Sequence, residues 1–125
     1  MITGVDAGVA LDFVSKYDNA EPKTIWKLSI LSAYAYSRVS SKMTDAAKYL
    51  EGMIDVVRFG LSGFDNFKNK NGDIIKFDTQ PYEISSQTYR VITNSIINQI
   101  PIDVIVELAT KILDMTKLTE QEIKN

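Results

Sequence analysis

The side chains that could do chemistry in this chain are carboxylates, amines and phenols, because its 125 residues include neither cysteine nor histidine. Without a thiol or an imidazole, thiol catalysis, histidine-dependent triads and the usual structural zinc sites cannot be built. An enzyme would have to use aspartate, lysine or tyrosine in a pocket that shifts their pKa values. The sequence also lacks a glycine-rich phosphate-binding motif. We therefore expect a non-enzymatic protein with no catalytic residue, no metal ion and no cofactor.

Two pairs of carboxylates are spaced four residues apart, Glu51 with Asp55 and Asp103 with Glu107. On a helix, that spacing places each pair on one face. Acid–base catalysis would need such a pair in a cleft that drives the two pKa values apart. Both pairs lie off the apolar stripes of their predicted helices, so we interpret them as solvated surface charges.

The polar segment 67–78 partly matches a calcium-binding loop, with Gly72 at the sixth position and asparagines at the third and fifth. The first position requires aspartate but is Phe67. Three lysines in or beside the loop would also repel a cation. We interpret the segment as a hairpin loop whose turn is Asn71-Gly72, a pair that readily adopts positive φ angles.

Length and composition indicate one globular domain, since 45% of the residues are hydrophobic and 24% are charged. The formal charge of −2 provides no basic excess for holding a phosphate backbone. Lysines and phenylalanines occur together between residues 64 and 77, but neighbouring aspartates offset the lysines. No apolar run approaches the roughly 18 residues of a membrane-spanning helix. We therefore expect neither nucleic-acid binding nor membrane insertion.

The spacing of apolar residues predicts an α+β fold, a mainly helical small domain with a short N-terminal β-hairpin packed on three or four helices. Residues 9–17 and 23–31 alternate apolar with polar side chains across a segment of turn formers, so we expect an antiparallel pair. Trp26 lies on the inner face of the second strand and is expected to anchor the core. We interpret the chain as a single domain, 1–125, with an extended part at 1–31 and a helical part at 32–125 that contains a loop at 63–80.

Helices are expected wherever apolar residues recur every three or four positions. Thr44 is a candidate N-cap for the second helix, and Pro101 suits the first turn of the fourth. Pro81 is expected to end any regular run. The predicted helical segments are 32–43, 46–61, 85–100 behind a serine cap, 101–115, and a last turn opened by the capping box at 119–122.

The order of these elements resembles the tail assembly chaperones of long-tailed bacteriophages. The resemblance is one of layout over most of the chain, and no single motif carries it alone. It rests on the segments 21–28 and 57–61, the Asn71-Gly72-Asp73 turn leading to Phe77, and the C-terminal segments 100–109 and 118–125.

The resemblance implies a non-enzymatic protein of the host cytoplasm that coats the tape-measure protein before the tail tube polymerises. Such a chaperone would shield apolar helical segments in a matching groove and release them to tube subunits. The N-terminus carries no basic, uninterrupted apolar leader, which agrees with the expected cytoplasmic location. Two other functions stay open: a structural virion protein, such as a head–tail adaptor or tail component, and a small inhibitor or regulator of a host protein. Homo-oligomer formation is also left open.

The predicted partner-binding residues are Phe64, Phe67, Leu118 and Ile123. Each is apolar and lies in a segment that is poorly placed for the main core. For Phe64 and Phe67 a second interpretation is equally open, in which both rings pack beneath their own loop.

Overall fold

The computed structural model describes residues 1–2, 4 and 9–124, with side chains as far as Lys117 in the last helix. It confirms a small α+β domain that combines two antiparallel sheets with helices. The elements are β1 (Leu11–Phe13), β2 (Ile25–Leu28), α1 (Ala33–Met43), a 3₁₀ turn (Ala46–Lys48), α2 (Tyr49–Gly60), β3 (Leu61–Asp65), β4 (Thr79–Ile84), β5 (Gln87–Ile92), α3 (Asn94–Ile97) and α4 (Ile102–Lys124).

The predicted N-terminal hairpin is present, with β1 antiparallel to β2 and Leu11 opposite Leu28. A third strand that we did not predict, β3, continues this sheet along the other edge of β2. The loop predicted from residue 63 rests on the density of turn-forming residues in the segment 63–73, and for its first residues that prediction is wrong. Gly63 instead lies opposite Lys27, and Phe64 lies opposite Trp26. Trp26 is 3% exposed, which confirms that it anchors the core.

The second sheet corrects the helix predicted at 85–100. Ser85 and Ser86 do not cap a helix but form a two-residue hairpin turn, with φ angles of 50° and 65°. β4 and β5 pair on either side of this turn, with Tyr82 opposite Tyr89. Pro81, expected to end any regular run, lies within β4, where a two-stranded sheet leaves one side of each strand free of ladder hydrogen bonds.

α1 and the 3₁₀ turn that leads into α2 each begin at a side-chain cap. The Ser32 hydroxyl accepts a hydrogen bond from the Ala35 amide at 3.2 Å, and α1 follows as predicted. Asp45, rather than Thr44, caps the next segment, which begins as a 3₁₀ turn and becomes α2 only at Tyr49. Because the α-helix begins later than predicted, Ala46 is exposed rather than part of the buried stripe.

The last helix, α4, starts directly after Pro101, as predicted, and runs unbroken to Lys124. The segment 119–122 therefore continues α4 and does not open a separate turn, which corrects the capping-box prediction. Val57 of α2 is fully buried, and α4 packs against this helix with an apolar stripe. The most buried residues of that stripe are Ile105, Leu108, Ala109 and Ile112.

α2 and α4 run in the same direction where they pack. A β-carbon on Gly60 would contact Ile112, while Ile54 and Ile105 line one common groove. The contacts therefore advance together along both helices. None of the helices in the described residues combines the length and the apolar character needed to span a bilayer.

Candidate functional site

A groove of about 570 Å³ lies between α2, α3 and the first turn of α4. We call it the isoleucine groove, because five isoleucines line it together with three polar residues. Ile97, Ile100 and Ile105 are buried in it, whereas Ile102 remains 50% exposed. The lining residues are Ile54, Ile97, Ile100, Ile102, Ile105, Arg58, Asn94 and Asn98.

The wall opposite α2 is formed by the short segment between β5 and α4, which contains α3. The Thr93 hydroxyl accepts a hydrogen bond from the Ile96 amide at 3.4 Å and so caps the single turn of α3. The Asn98 amide closes that turn on the Asn94 carbonyl at 3.0 Å. Pro101 then restarts the chain as α4. These short-range contacts bring isoleucines from both sides of the proline to one groove.

Arg58 joins two walls of the groove. Its Nη1 donates to the Asn94 side-chain oxygen, and its Nε donates to Asp55 Oδ1 at 3.4 Å. Its guanidinium carbon also lies 6.0 Å from the centre of the Tyr82 ring. The side chain is only 15% exposed, so one positive charge is held at the groove in a defined position.

Asp55 corrects the interpretation of the Glu51–Asp55 pair as solvated charges. Its side chain is 7% exposed and lies 2.5 Å from Lys42 Nζ of α1. Lys42 also bonds Glu51 at 2.9 Å. The hydrogen bond to Asp55, followed by the one to Glu51, raises the pKa of Lys42, and the bond from Lys42 lowers the pKa of Glu51. The apolar stripe of α2 could not reveal this burial because α1 covers a second face of the helix.

The two residues of the second carboxylate pair, Asp103 and Glu107, differ in their exposure to solvent. Asp103 is exposed, as interpreted, but Glu107 is half-buried and its Oε2 accepts a hydrogen bond from the Lys16 amide at 3.0 Å. This bond ties the segment after β1 to the side of α4. For Glu107 the solvated interpretation is therefore wrong.

Exposed apolar residues extend along the two helices beside the isoleucine groove. Leu50 precedes Ile54 by one turn of α2 and is 48% exposed. Val106 follows Ile102 by one turn of α4 and is 39% exposed. Apolar surface therefore continues along both helices beyond the groove itself.

The structure does not leave Phe64 and Phe67 on the surface. They are 9% and 8% exposed, and each ring lies within 5.8 Å, centre to centre, of Trp26. Phe77 also packs edge-on against Phe64 at 5.3 Å. Phe64 and Phe67 therefore pack inward and do not form a contact surface. Phe64 is buried because it belongs to β3, where it lies opposite Trp26.

Leu118 and Ile123, the other predicted partner-binding residues, lie in α4 outside the residues whose side chains the structure describes. The isoleucine groove was not predicted as a site. The available signal was the density of isoleucines on both sides of Pro101.

The segment 67–75 is a hairpin, as interpreted. Lys68 bridges Ile74, but of the predicted Asn71-Gly72 pair only Gly72 has a positive φ, of 87°. The Asn69 side-chain oxygen accepts hydrogen bonds from the amides of Asn71 and Asp73, so it serves the turn itself. Across the described residues, no three acidic side chains come close enough together to hold a metal ion.

Comparison with protein-family models, with curated proteins and with solved structures finds no match to this chain. A functional interpretation therefore depends on the residue pattern and on the geometry of the groove.

Proposed function

We propose that this protein is a non-enzymatic assembly chaperone that binds the apolar face of an amphipathic helix in the isoleucine groove. The partner would be a helical segment of a phage tape-measure protein, bound in the host cytoplasm before the tail tube forms. The resemblance in layout to tail assembly chaperones supplies this partner class.

The observation that carries the proposal is the half-exposed Ile102, which lines the same groove as three buried isoleucines and the partly buried Ile54. Apolar side chains of a partner helix would cover Ile102 and fill the groove above Ile97 and Ile105. Each large aliphatic side chain that becomes fully buried contributes about 1.5–3 kcal/mol. Two or three such anchors would suffice for a reversible complex after the cost of association.

Arg58 adds a chemical requirement for the partner. A guanidinium has five N–H donors, and the bonds to Asp55 and Asn94 occupy two of them. A carboxylate at the edge of the partner's apolar face could accept from the others. The preferred ligand is therefore an amphipathic helix with leucine or isoleucine at helical spacing and an acidic residue beside them.

Co-expression tests the proposal. A tape-measure fragment that aggregates alone should stay soluble with the wild-type protein and should aggregate with Ile102→Glu, which puts a charge at the groove. The variant should fold, because an acidic residue is favourable in the first turn of a helix. Ile74→Glu is the matched control, since Ile74 is 63% exposed in the hairpin 67–75 and does not line the groove.

Equal protection by Ile102→Glu and wild type would exclude the groove as the binding site. A fragment that aggregates even with the wild-type protein would overturn the chaperone function. Stoichiometric presence of the protein in purified phage particles would favour the structural virion alternative instead.

A further inference from the structure

A second cavity, of about 300 Å³, lies on the other side of α4 and plays no part in the proposed function. Side chains follow one another at about 100° around a helix, so Val104 lies nearly opposite Ile102 and Asp103 lies between the two. The cavity has apolar walls and two carboxylates. We call it the acidic–aromatic pocket, and the residues that matter are Tyr17, Trp26, Phe67, Val104, Asp18 and Asp103.

Three residues that line this pocket, Trp26, Phe67 and Val104, belong to the hydrophobic core. Trp26 and Phe67 are 3% and 8% exposed, and their ring centres are 5.0 Å apart. Val104 is also buried, whereas Tyr17 is 51% exposed at the mouth. The cavity is at the small end of the range for ligand sites, which fits one side chain better than a large cofactor.

Two carboxylates line the pocket, those of Asp18 and Asp103. The Thr24 amide donates to Asp18 Oδ2 at 2.8 Å and the Ala20 amide donates to Oδ1 at 3.0 Å. Chiefly through the Thr24 bond, these contacts lower the pKa of Asp18, so its charge persists at neutral pH. Asp103 is exposed, and among the described residues its side chain has no hydrogen bond or ion pair that a cation would have to displace.

A third carboxylate lies one turn further along α4 and does not itself line the pocket. Glu107 accepts the Lys16 amide through Oε2, and its Oε1 is buried with no hydrogen-bond partner among the described residues. A buried carboxylate oxygen without a donor makes this side of α4 favourable for positive charge.

Two amines lie nearby, but neither lines the pocket. Lys16 Nζ lies 5.2 Å from the centre of the Tyr17 ring. Lys23 Nζ donates to the Asp18 carbonyl at 2.8 Å and pairs with Glu21 at 3.7 Å. The local balance therefore remains negative.

We propose that the acidic–aromatic pocket binds an arginine side chain of another polypeptide. The aliphatic stem would lie against Val104 and the aromatic edges, and the guanidinium would reach Asp103 at the mouth. A planar guanidinium suits this combination better than an ammonium, because it stacks on rings and can bond a carboxylate through two N–H groups.

The single tryptophan of the chain provides a direct reporter, because Trp26 lines the pocket. N-acetyl-arginine amide should shift the Trp26 indole resonance in NMR spectra in a saturable manner. N-acetyl-citrulline amide has nearly the same shape but no charge and should produce no saturable shift. Asp103→Asn should weaken arginine binding roughly tenfold, as expected for loss of a charge-assisted hydrogen bond.

Asp114→Asn is the matched control, since Asp114 is an exposed aspartate of the same helix that does not line the pocket. Binding to this variant should equal binding to wild type. Equal binding of citrulline, or an unchanged affinity in Asp103→Asn, would overturn the proposal. Equal binding of N-acetyl-lysine amide would overturn the assignment to arginine. No helical partner is used, so a negative result leaves the proposed chaperone function unaffected.

Discussion

Gly60 of α2 and Ile112 of α4 are so close that a β-carbon on Gly60 would lie 2.6 Å from Cγ2 and 2.7 Å from Cδ1 of Ile112. The Gly60 carbonyl also accepts the Ser29 amide at 2.8 Å. Glycine therefore allows α2, α4 and the end of β2 to meet at one point. The same two helices, α2 and α4, also form walls of the isoleucine groove.

Gly60→Ala should destabilise the protein by about 1–3 kcal/mol, the usual cost of overpacking a core. The branched Cγ2 of Ile112 cannot rotate away as the end of a long side chain could, so α4 itself must shift. Chemical denaturation measures the loss. Gly63→Ala is the control, because its β-carbon would be 3.4 Å from the flexible Lys27 side chain and should cost little. Similar losses in both variants would contradict the contact.

Asp55→Asn should cost about 2–3 kcal/mol of unfolding free energy. Breaking a buried ion pair typically costs about 3–5 kcal/mol, and we reduce that figure because Lys42 and Arg58 remain 23% and 15% exposed and can be partly rehydrated. Glu51→Gln removes the exposed partner of Lys42 and should have a much smaller effect. Comparable denaturation midpoints for the two variants would show that Asp55 is not the central residue of this network.

Several elements could be predicted because their signals are local. The start of α4 at Pro101 depends on residues within one turn, and Trp26 follows the alternation of its strand. The β4–β5 hairpin was missed because Tyr89, Ile92 and Ile96 recur at helical spacing, although a strand followed by one helical turn produces that spacing here. The β-branched content of the segment was the better guide.

The isoleucine groove could not be located from periodicity, because its lining depends on long-range packing. Ile54 and Ile102 are 48 positions apart in the sequence, and they line one groove because α2 packs against α4. The burial of Asp55 could not be predicted for a similar reason. The helix that covers it, α1, does not change the spacing of apolar residues in α2.

Replacing Ser85-Ser86 with Asn-Gly should stabilise the β4–β5 hairpin by about 1 kcal/mol. Both serines have positive φ angles, which asparagine and glycine adopt at lower cost. A higher midpoint in thermal or urea denaturation is the expected result.

Gly72→Ala is the converse test, because Gly72 has a φ of 87° and open space around it, so only backbone strain should lower stability. An unchanged midpoint in both variants would contradict the turn geometry.

Asp18→Asn should destabilise the protein at neutral pH by about 1 kcal/mol, a typical net value for a side-chain hydrogen bond in a turn. Hydrogen bonds from Thr24 and then Ala20 lower the pKa of Asp18 from its ordinary value of 3.8. A carboxyl group with a lower pKa in the folded state contributes stability that is complete above the unfolded pKa and is lost as the pH falls through the folded pKa. The difference between wild type and variant should therefore be largest at neutral pH and should shrink in acid below pH 3.8. Urea denaturation across that range measures it, with Asp114→Asn as the reference. A difference that stays constant with pH would show that the loss comes from altered packing and not from the charge of Asp18.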